Sequence, residues 1–287
     1  MNQAERKVLN LLHSRKVTAD EAADLIDAIR AQIETPTRGR ALASSIVGHG
    51  DLHRKLHEDI AEAAALDGPV MVEGERGTGK MMISRTIHYN SRRSDRPFLS
   101  LDCTGDTVDE EIFGVEPKKK GETAKRGLLD LARGGSIVLD MLVDMPPDTQ
   151  QKLYAYLQTA QFKRVGGSKS YTSDARIIGV CHDSLADVVS NGQFNADLYR
   201  ALAETKIASI ALRDCLGCLP DLVTHFITAQ SRVEARVPPG VSNNLIEKLR
   251  GYAWPENSEL HQAIKDALGG FKGDVLGAED VKVGGGD

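Results

Sequence analysis

The sequence predicts an α/β fold: a parallel sheet sandwiched by helices, with a small all-helical domain behind it and an N-terminal helical hairpin in front. Three observations predict it. Strand-like runs at 98–101, 136–140 and 175–181 are each followed by helical spacing, and such alternation calls for a parallel sheet covered on both faces. The apolar run PVMVE enters a glycine-rich turn, GERGTGK, and leaves it into a second helical pattern. From about residue 214 only helical spacing remains, in CLPDLVTHFITAQSRV, VSNNLIEKLRGYAW and SELHQAIKDAL.

The elements follow in order. Residues 1–33 read as a hairpin of two helices. Val8, Leu11 and Leu12 give the first an apolar face, and Leu25, Ile26, Ile29 and Ile33 recur at helical spacing in the second. Thr18 followed by Glu21 forms a capping box, which starts the second helix near Ala19. Such a hairpin either packs on the main body, or binds a partner or self-associates. Residues 34–45, ETPTRGRALASS, are a linker by composition. The α/β core occupies 46–213 and begins with a helix through LHRKLHEDIAEAAAL. Met82, Ile83 and Ile87 give the helix after the glycine-rich turn its apolar face. A helical domain at 214–280 and a disordered tail at 281–287 complete the expected plan.

Bulk composition narrows the function classes. A chain of 287 residues with 41% hydrophobic and 27% charged residues is ordinary for a globular protein of one large or two smaller domains. A net charge of −5 makes no overall demand for nucleic acid. No apolar run approaches the ~20 residues needed to span a bilayer. The N-terminal MNQAERKVLN lacks a signal-peptide pattern. Four cysteines spread over this length do not suggest a disulfide framework. A cytoplasmic protein is expected.

The glycine-rich turn carries the chemistry. Gly74, Gly77 and Gly79 let the backbone curl so that its N–H groups face an anion. The next helix points its positive end at the same place, and Lys80 supplies a charge for the outer phosphates. The candidate nucleotide-binding residues are therefore Gly74, Glu75, Arg76, Gly77, Thr78, Gly79, Lys80 and Met81. A serine or threonine after the lysine would ligate magnesium; Met81 cannot.

Beyond this turn, nine ordered stretches resemble the AAA+ domain of bacterial enhancer-binding proteins, the activators of sigma-54 RNA polymerase. They are GERGTGK, IHYNSRRSDRPF, EIFG, ARGGSIVLD, QKLYAYLQTAQFKRVGG, ARIIG, GQFNADLY, IALRD and YAWPEN, within residues 46–280. The resemblance implies a P-loop AAA+ core with a helical lid, and ATP or ADP with Mg2+ as cofactors. It makes Asp140, the last residue of SIVLD, both a nucleotide-site residue and the metal ligand.

Most departures from the family pattern fall on hydrolysis. Met141 stands where the family has the Walker B glutamate, and a thioether cannot take a proton from water. Asp102 replaces the asparagine that restrains that glutamate, and His182 replaces the sensor asparagine. Asn195 and Ala201 occupy the two arginine-finger slots, with Arg200 one residue away. WPENSEL lacks the lid arginine of the family's WPGNVREL. Asp144 lies along a different part of the loop from Met141 and is not expected to replace the glutamate. An arginine finger is worth ~1000-fold or more in rate and a general base ~100-fold or more. No catalytic residue is assigned. In place of the family's sigma-54-contacting GAFTGA loop stands VEPKKKGETAKRG, made basic by Lys118, Lys119, Lys120, Lys125 and Arg126.

Lesser signals are weighed as structural. CLGC, 215–218, is a lone C-x-x-C that reads as two small buried thiols, with Cys103 and Cys181 at strand ends elsewhere. His49, His53 and His57 recur at four-residue spacing on what reads as one solvated or partly packed helix face. No helix-turn-helix pattern follows residue 270, so direct DNA binding is not expected.

The resulting expectation is a nucleotide-binding pseudo-ATPase that acts as a regulatory or scaffolding partner in bacterial transcription. Its partner would be a protein, either a related AAA+ ATPase or another copy of itself. Three alternatives stay open. One is a regulator that senses a cyclic dinucleotide or other phosphate ligand. Another is a weak ATPase completed by a partner. The third is a nucleotide-free interaction module.

Overall fold

The computed structural model describes residues 46–117, 124–182, 184–255 and 257–284. The expected hairpin, linker and Lys118 to Lys120 lie outside the described residues. Contacts divide the chain into two units. The first contains Ile60–Glu73 and Met81–Ile207; the second contains Ser45–Asp59, Gly74–Lys80 and Ala208–Asp287.

The first unit is built on a five-stranded sheet. Its strands are β1 (Val70–Glu73), β2 (Phe98–Asp102), β3 (Ser136–Asp140), β6 (Arg176–Cys181) and β7 (Lys206–Ala208), in the spatial order β2-β3-β6-β1-β7. β2, β3, β6 and β1 pair in parallel. Every residue of β1 and β6 is buried. Such unbroken apolar runs are the pattern of strands covered on both faces. The register brings the C-terminal ends of the strands level: Asp102 lies opposite Asp140, and Glu73 opposite Cys181.

Helices in chain order are α1 (Asp51–Ala65), α2 (Lys80–Tyr89), α3 (Val108–Phe113), α4 (Leu128–Leu131), α5 (Pro147–Thr159), α6 (Leu185–Ser190) and α7 (Ala196–Leu202). Local chemistry sets their ends. Proline occupies the first turn of α5, where its missing N–H costs nothing, and Ala160 closes the helix in a left-handed conformation. The core gathers Met71, Ile112, Phe113, Leu129, Ile137, Leu139, Leu153, Ile177 and Leu198 among others. Two buried polar groups fix its edges. Arg176 donates to Gly68 O (2.8 Å) and Ala63 O (2.6 Å), which ties the start of β6 to the end of α1, and burial lowers its pKa to about 10. His88 shares a 2.9 Å hydrogen bond with the Ser136 hydroxyl, and burial lowers its pKa to about 4.

A hairpin of β4 (Gln161–Lys163) and β5 (Ser170–Thr172) stands outside the main sheet. Near it, Arg164 pairs with Asp130 at 2.9 Å and lies over the Tyr171 ring at 4.3 Å. The two ends of the segment that carries the basic loop are pinched together. A side chain at Gly127 would collide with Gly114 N and Ile112 O, so this close approach requires glycine. Val115 and Lys125 exchange backbone hydrogen bonds just inside that pinch, at 2.9 and 3.0 Å.

The second unit is mainly helical: α8 (Leu219–Val233), α9 (Asn243–Arg250) and α10 (Ser258–Leu268), with a short parallel pair β8 (Gly240–Val241) and β9 (Val275–Leu276). Trp254 is its largest fully buried side chain, and its indole N–H donates to Leu249 O at 2.8 Å. Val281, in the range expected to be a disordered tail, is fully buried in this core. The reason is a tether: the Lys248 ammonium donates to Ala278 O and Val281 O, each at 2.7 Å. Among the described residues no helix is long and apolar enough to cross a membrane.

Candidate phosphate loop and strand-end carboxylates

The glycine-rich turn connects β1 to α2, with Lys80 as the first helical residue. Gly74, Gly77 and Gly79 all have positive φ, at 140°, 75° and 80°. L-residues rarely adopt these angles, so the turn depends on glycine. At Gly74 and Gly77 packing adds a second reason. A Cβ there would strike the Ser209 hydroxyl and the Ser258 backbone nitrogen, whereas one at Gly79 would meet nothing within 4 Å.

Side chains then hold the turn open. The Thr78 hydroxyl donates to Glu75 O at 2.8 Å and lies 2.6 Å from the Ser209 hydroxyl. The Glu75 carboxylate is gripped by the Arg213 guanidinium, with one bond at 2.7 Å, and by Asn257 Nδ2 at 3.2 Å. The Arg213 hydrogen bond holds the Glu75 carboxyl below its usual pKa. Asn257 also donates to Arg76 O at 3.1 Å and accepts from Leu212 N at 2.5 Å.

Lys80 is only 4% exposed. Its ammonium donates to Gly74 O at 2.7 Å and Glu75 O at 2.5 Å. A buried cation resting on carbonyls of its own turn suits an anion, because a phosphate oxygen would give it a charge-assisted bond instead. Met81 follows on α2 and offers only a weak sulfur acceptor.

The C-terminal edge of the first unit's sheet carries the second group. Asp140 Oδ1 accepts from Met141 N at 2.9 Å and lies 3.8 Å from His182 Nε2. Asp102, opposite it in register, accepts from Thr104 N at 2.9 Å, and that bond holds its carboxyl below the ordinary range. Asp102 and Asp140 thus stand on neighbouring strand ends, with the His182 imidazole near the second. Met141 adopts φ 52°, ψ 43°, the left-handed conformation, immediately after β3. Asp144 closes the following 3-10 turn and is exposed. Cys103 is fully buried, which pushes its thiol up to about 12 and leaves it no role as a nucleophile.

Asn195, expected at an arginine-finger slot, and Arg200, beside the other, are both engaged locally at α7. Asn195 caps α7, its Oδ1 accepting from Asp197 N and Leu198 N at 2.9 Å each. Arg200 pairs with Asp197 on its own helix and donates to Ala196 O at 3.3 Å. Of the basic-loop residues, Lys125 and Arg126 fall among the described residues and Lys118, Lys119 and Lys120 do not.

The structure thus keeps the glycines and lysine of the turn in one group and Asp140 in another, each in its own unit. Sequence reasoning missed three partners. Asp102 was legible as a second carboxylate, because LSLD and IVLD end alike and neighbouring parallel strands align their ends. Arg213 and Asn257, 138 and 182 positions from Glu75, gave no local signal.

Comparison with known proteins agrees with this architecture. A family model described as "Sigma-54 interaction domain" matches residues 46–208. The transcriptional regulatory protein XylR of Pseudomonas putida is 32% identical over 228 residues, which are 76% of this chain and 40% of that protein. The Nif-specific regulatory protein of Azotobacter vinelandii is 32% identical over 270 residues, 92% of this chain and 50% of that protein. The chain therefore spans about half the length of these curated relatives, or less. Among solved structures, NtrX from Brucella abortus in complex with ATP superposes with a TM-score of 0.77 at 27% identity, covering 91% of this chain and 60% of that one. NtrX in complex with ADP gives 0.76.

Proposed function

The chain belongs to the sigma-54 interaction domain family, and on that premise we propose that it is a nucleotide-binding pseudo-ATPase with a regulatory or scaffolding role in bacterial transcription. The observation that carries the binding half is the Gly74–Lys80 turn, in which three positive-φ glycines bring a buried ammonium onto the carbonyls of the turn itself. ATP or ADP is the ligand, as in the NtrX complexes. Asp140, with Asp102 beside it, offers the oxygen donors that Mg2+ prefers. Lys80 and the turn's backbone bind and orient phosphate; none of these groups moves a proton.

What supports the absence of turnover is the set of residues around the strand ends. Met141 follows Asp140 where a carboxylate would accept a proton from water, and a thioether does not. Asn195 is occupied in capping a helix, and Arg200 is paired along its own. The protein then works by occupancy: nucleotide stabilises the bound form and biases docking onto a protein partner in the cytoplasm. Contact with sigma-54 by the usual loop is not part of this reading, and neither is direct DNA binding.

The test is isothermal titration with ATP and ADP in the presence of Mg2+, on the wild type and on Lys80→Ala checked for folding by circular dichroism. Micromolar binding that disappears in the folded variant is expected. At ~100 Kd of ligand the wild type should also gain ~2.7 kcal/mol of stability. No binding heat from the wild type, or steady phosphate release without a partner, overturns the proposal.

A further inference from the structure

The C-x-x-C dismissed on sequence grounds is not alone. His53 is 7% exposed and Cys218 1% exposed. His53 Nδ1 lies 3.6 Å from Cys215 Sγ and 3.7 Å from Cys218 Sγ, and the three ligand atoms fall within 4.8 Å of one another. A metal bound at ~2.3 Å to sulfur and ~2.0 Å to nitrogen places such a pair ~3.5 Å apart in a tetrahedron. The three histidines expected on one solvated or partly packed helix face do not share one setting. The helix begins only at Asp51, after His49, while His53 turns inward and His57 stays exposed.

His49 stands beside these three as the candidate fourth ligand, with its ring outside the cluster of atoms that lie within 4.8 Å of one another. Its backbone N–H points at Cys218 Sγ, 3.5 Å away, as an amide does toward a thiolate. Its ring is held by Asp221 Oδ2, 2.9 Å from Nδ1, and its Nε2 lies 3.9 Å from where a Cβ on Gly217 would be, between the two cysteines. A carboxylate on one ring nitrogen fixes the tautomer and leaves the other as the ligand. Gly48 completes the arrangement, since any side chain there would collide with the His53 ring.

We propose that His49, His53, Cys215 and Cys218 form a structural tetrahedral site for Zn2+, with Asp221 positioning His49. H-x3-H and C-x2-C are the ligand spacings of Cys2His2 sites. All four ligands belong to one unit, so the ion would fasten the segment before α1's midpoint to the start of α8. In the structure the two sulfurs are joined as a disulfide. The metal-binding form is the dithiol, reached when a thiol or phosphine reductant supplies two electrons and two protons. Zn2+ then displaces both thiol protons to solvent. A disulfide alone gives no account of a buried imidazole facing both sulfurs or of the carboxylate behind His49.

The test uses the full chain, reduced with a phosphine and stripped of metal, and Co2+ or Zn2+ as the probe. One Co2+ per chain is expected, with the visible bands of a tetrahedral ion and a thiolate-to-cobalt charge-transfer band. Zn2+ should displace it and shield Cys215 and Cys218 from alkylation. Cys215→Ser should weaken the charge-transfer band, and replacing Cys218 by serine as well should abolish it. Asp221→Asn should weaken binding roughly 10-fold while leaving the tetrahedral spectrum. Alkylation of the reduced wild type needs no variant to fold: both thiols reacting at the same rate with and without Zn2+ overturns the site. An octahedral cobalt spectrum without a sulfur band does so as well.

Discussion

Replacing His88 with glutamine should flatten the acid side of the stability profile. The ring is fully buried, rests against the Tyr89 and Phe98 rings at 4.9 and 5.1 Å, and shares one hydrogen bond with Ser136. Burial is the main cause of its lowered pKa, and the charges of Arg176 and Arg93 add to it. The folded value is about 4 against 6.5 for the ordinary side chain. The folded state thus binds fewer protons than the unfolded one. Stability is complete above 6.5 and falls as pH drops toward 4. At ~1.36 kcal/mol per unit the whole loss is about 3 kcal/mol, of which about 2 kcal/mol is already gone by pH ~5. Urea unfolding at neutral pH and at pH ~5, for wild type and His88→Gln, measures it. The variant is expected to be less stable at neutral pH yet to lose about 2 kcal/mol less on acidification. Carboxylates that titrate in both proteins cancel in the comparison. Equal losses in the two proteins would refute a neutral buried ring.

Two further outcomes follow from the same geometry. Arg164→Ala leaves Asp130, whose side chain is 8% exposed, with only the longer 3.5 Å contact to Arg133, and should cost up to about 3 kcal/mol in urea unfolding; a change within experimental error would mean that the pair is solvated. Met141→Glu returns a proton acceptor but not the missing guanidinium, itself worth ~1000-fold or more, so phosphate release should stay at background; turnover comparable to a working ATPase would show that Asn195 and Ala201 are not a barrier.

Much of the fold could be read from the chain because parallel strands announce themselves. SIVLD and RIIGVC are buried throughout or nearly so, and no amphipathic helix carries such runs. β7 was missed because KIA has only one buried residue and no alternation long enough to count. The glycines of the turn were legible because backbone angle selects residue type locally. The Glu75 grip and the His53 cluster were not, since each is closed by residues more than 130 positions away. His53 shows the difficulty well. Four-residue spacing suggested one helix face, but spacing cannot say where a helix starts, and the structure starts it two residues beyond His49. Likewise two isolated cysteines read as thiols until a partner histidine is brought to them.

The Arg213–Glu75 contact is half exposed, and such pairs contribute little to stability, ~0–1 kcal/mol. Its consequence lies in descent rather than in energy. Loss of Glu75 strips the Arg213 guanidinium of its carboxylate, whereas Asn257 keeps its bonds to Arg76 O and Leu212 N. Substitution at positions 75 and 213 should therefore be concerted across lineages. A chain that trades Glu75 for a neutral residue should soon shed the arginine as well, and the surviving combinations would record which ancestors still needed the turn held in place.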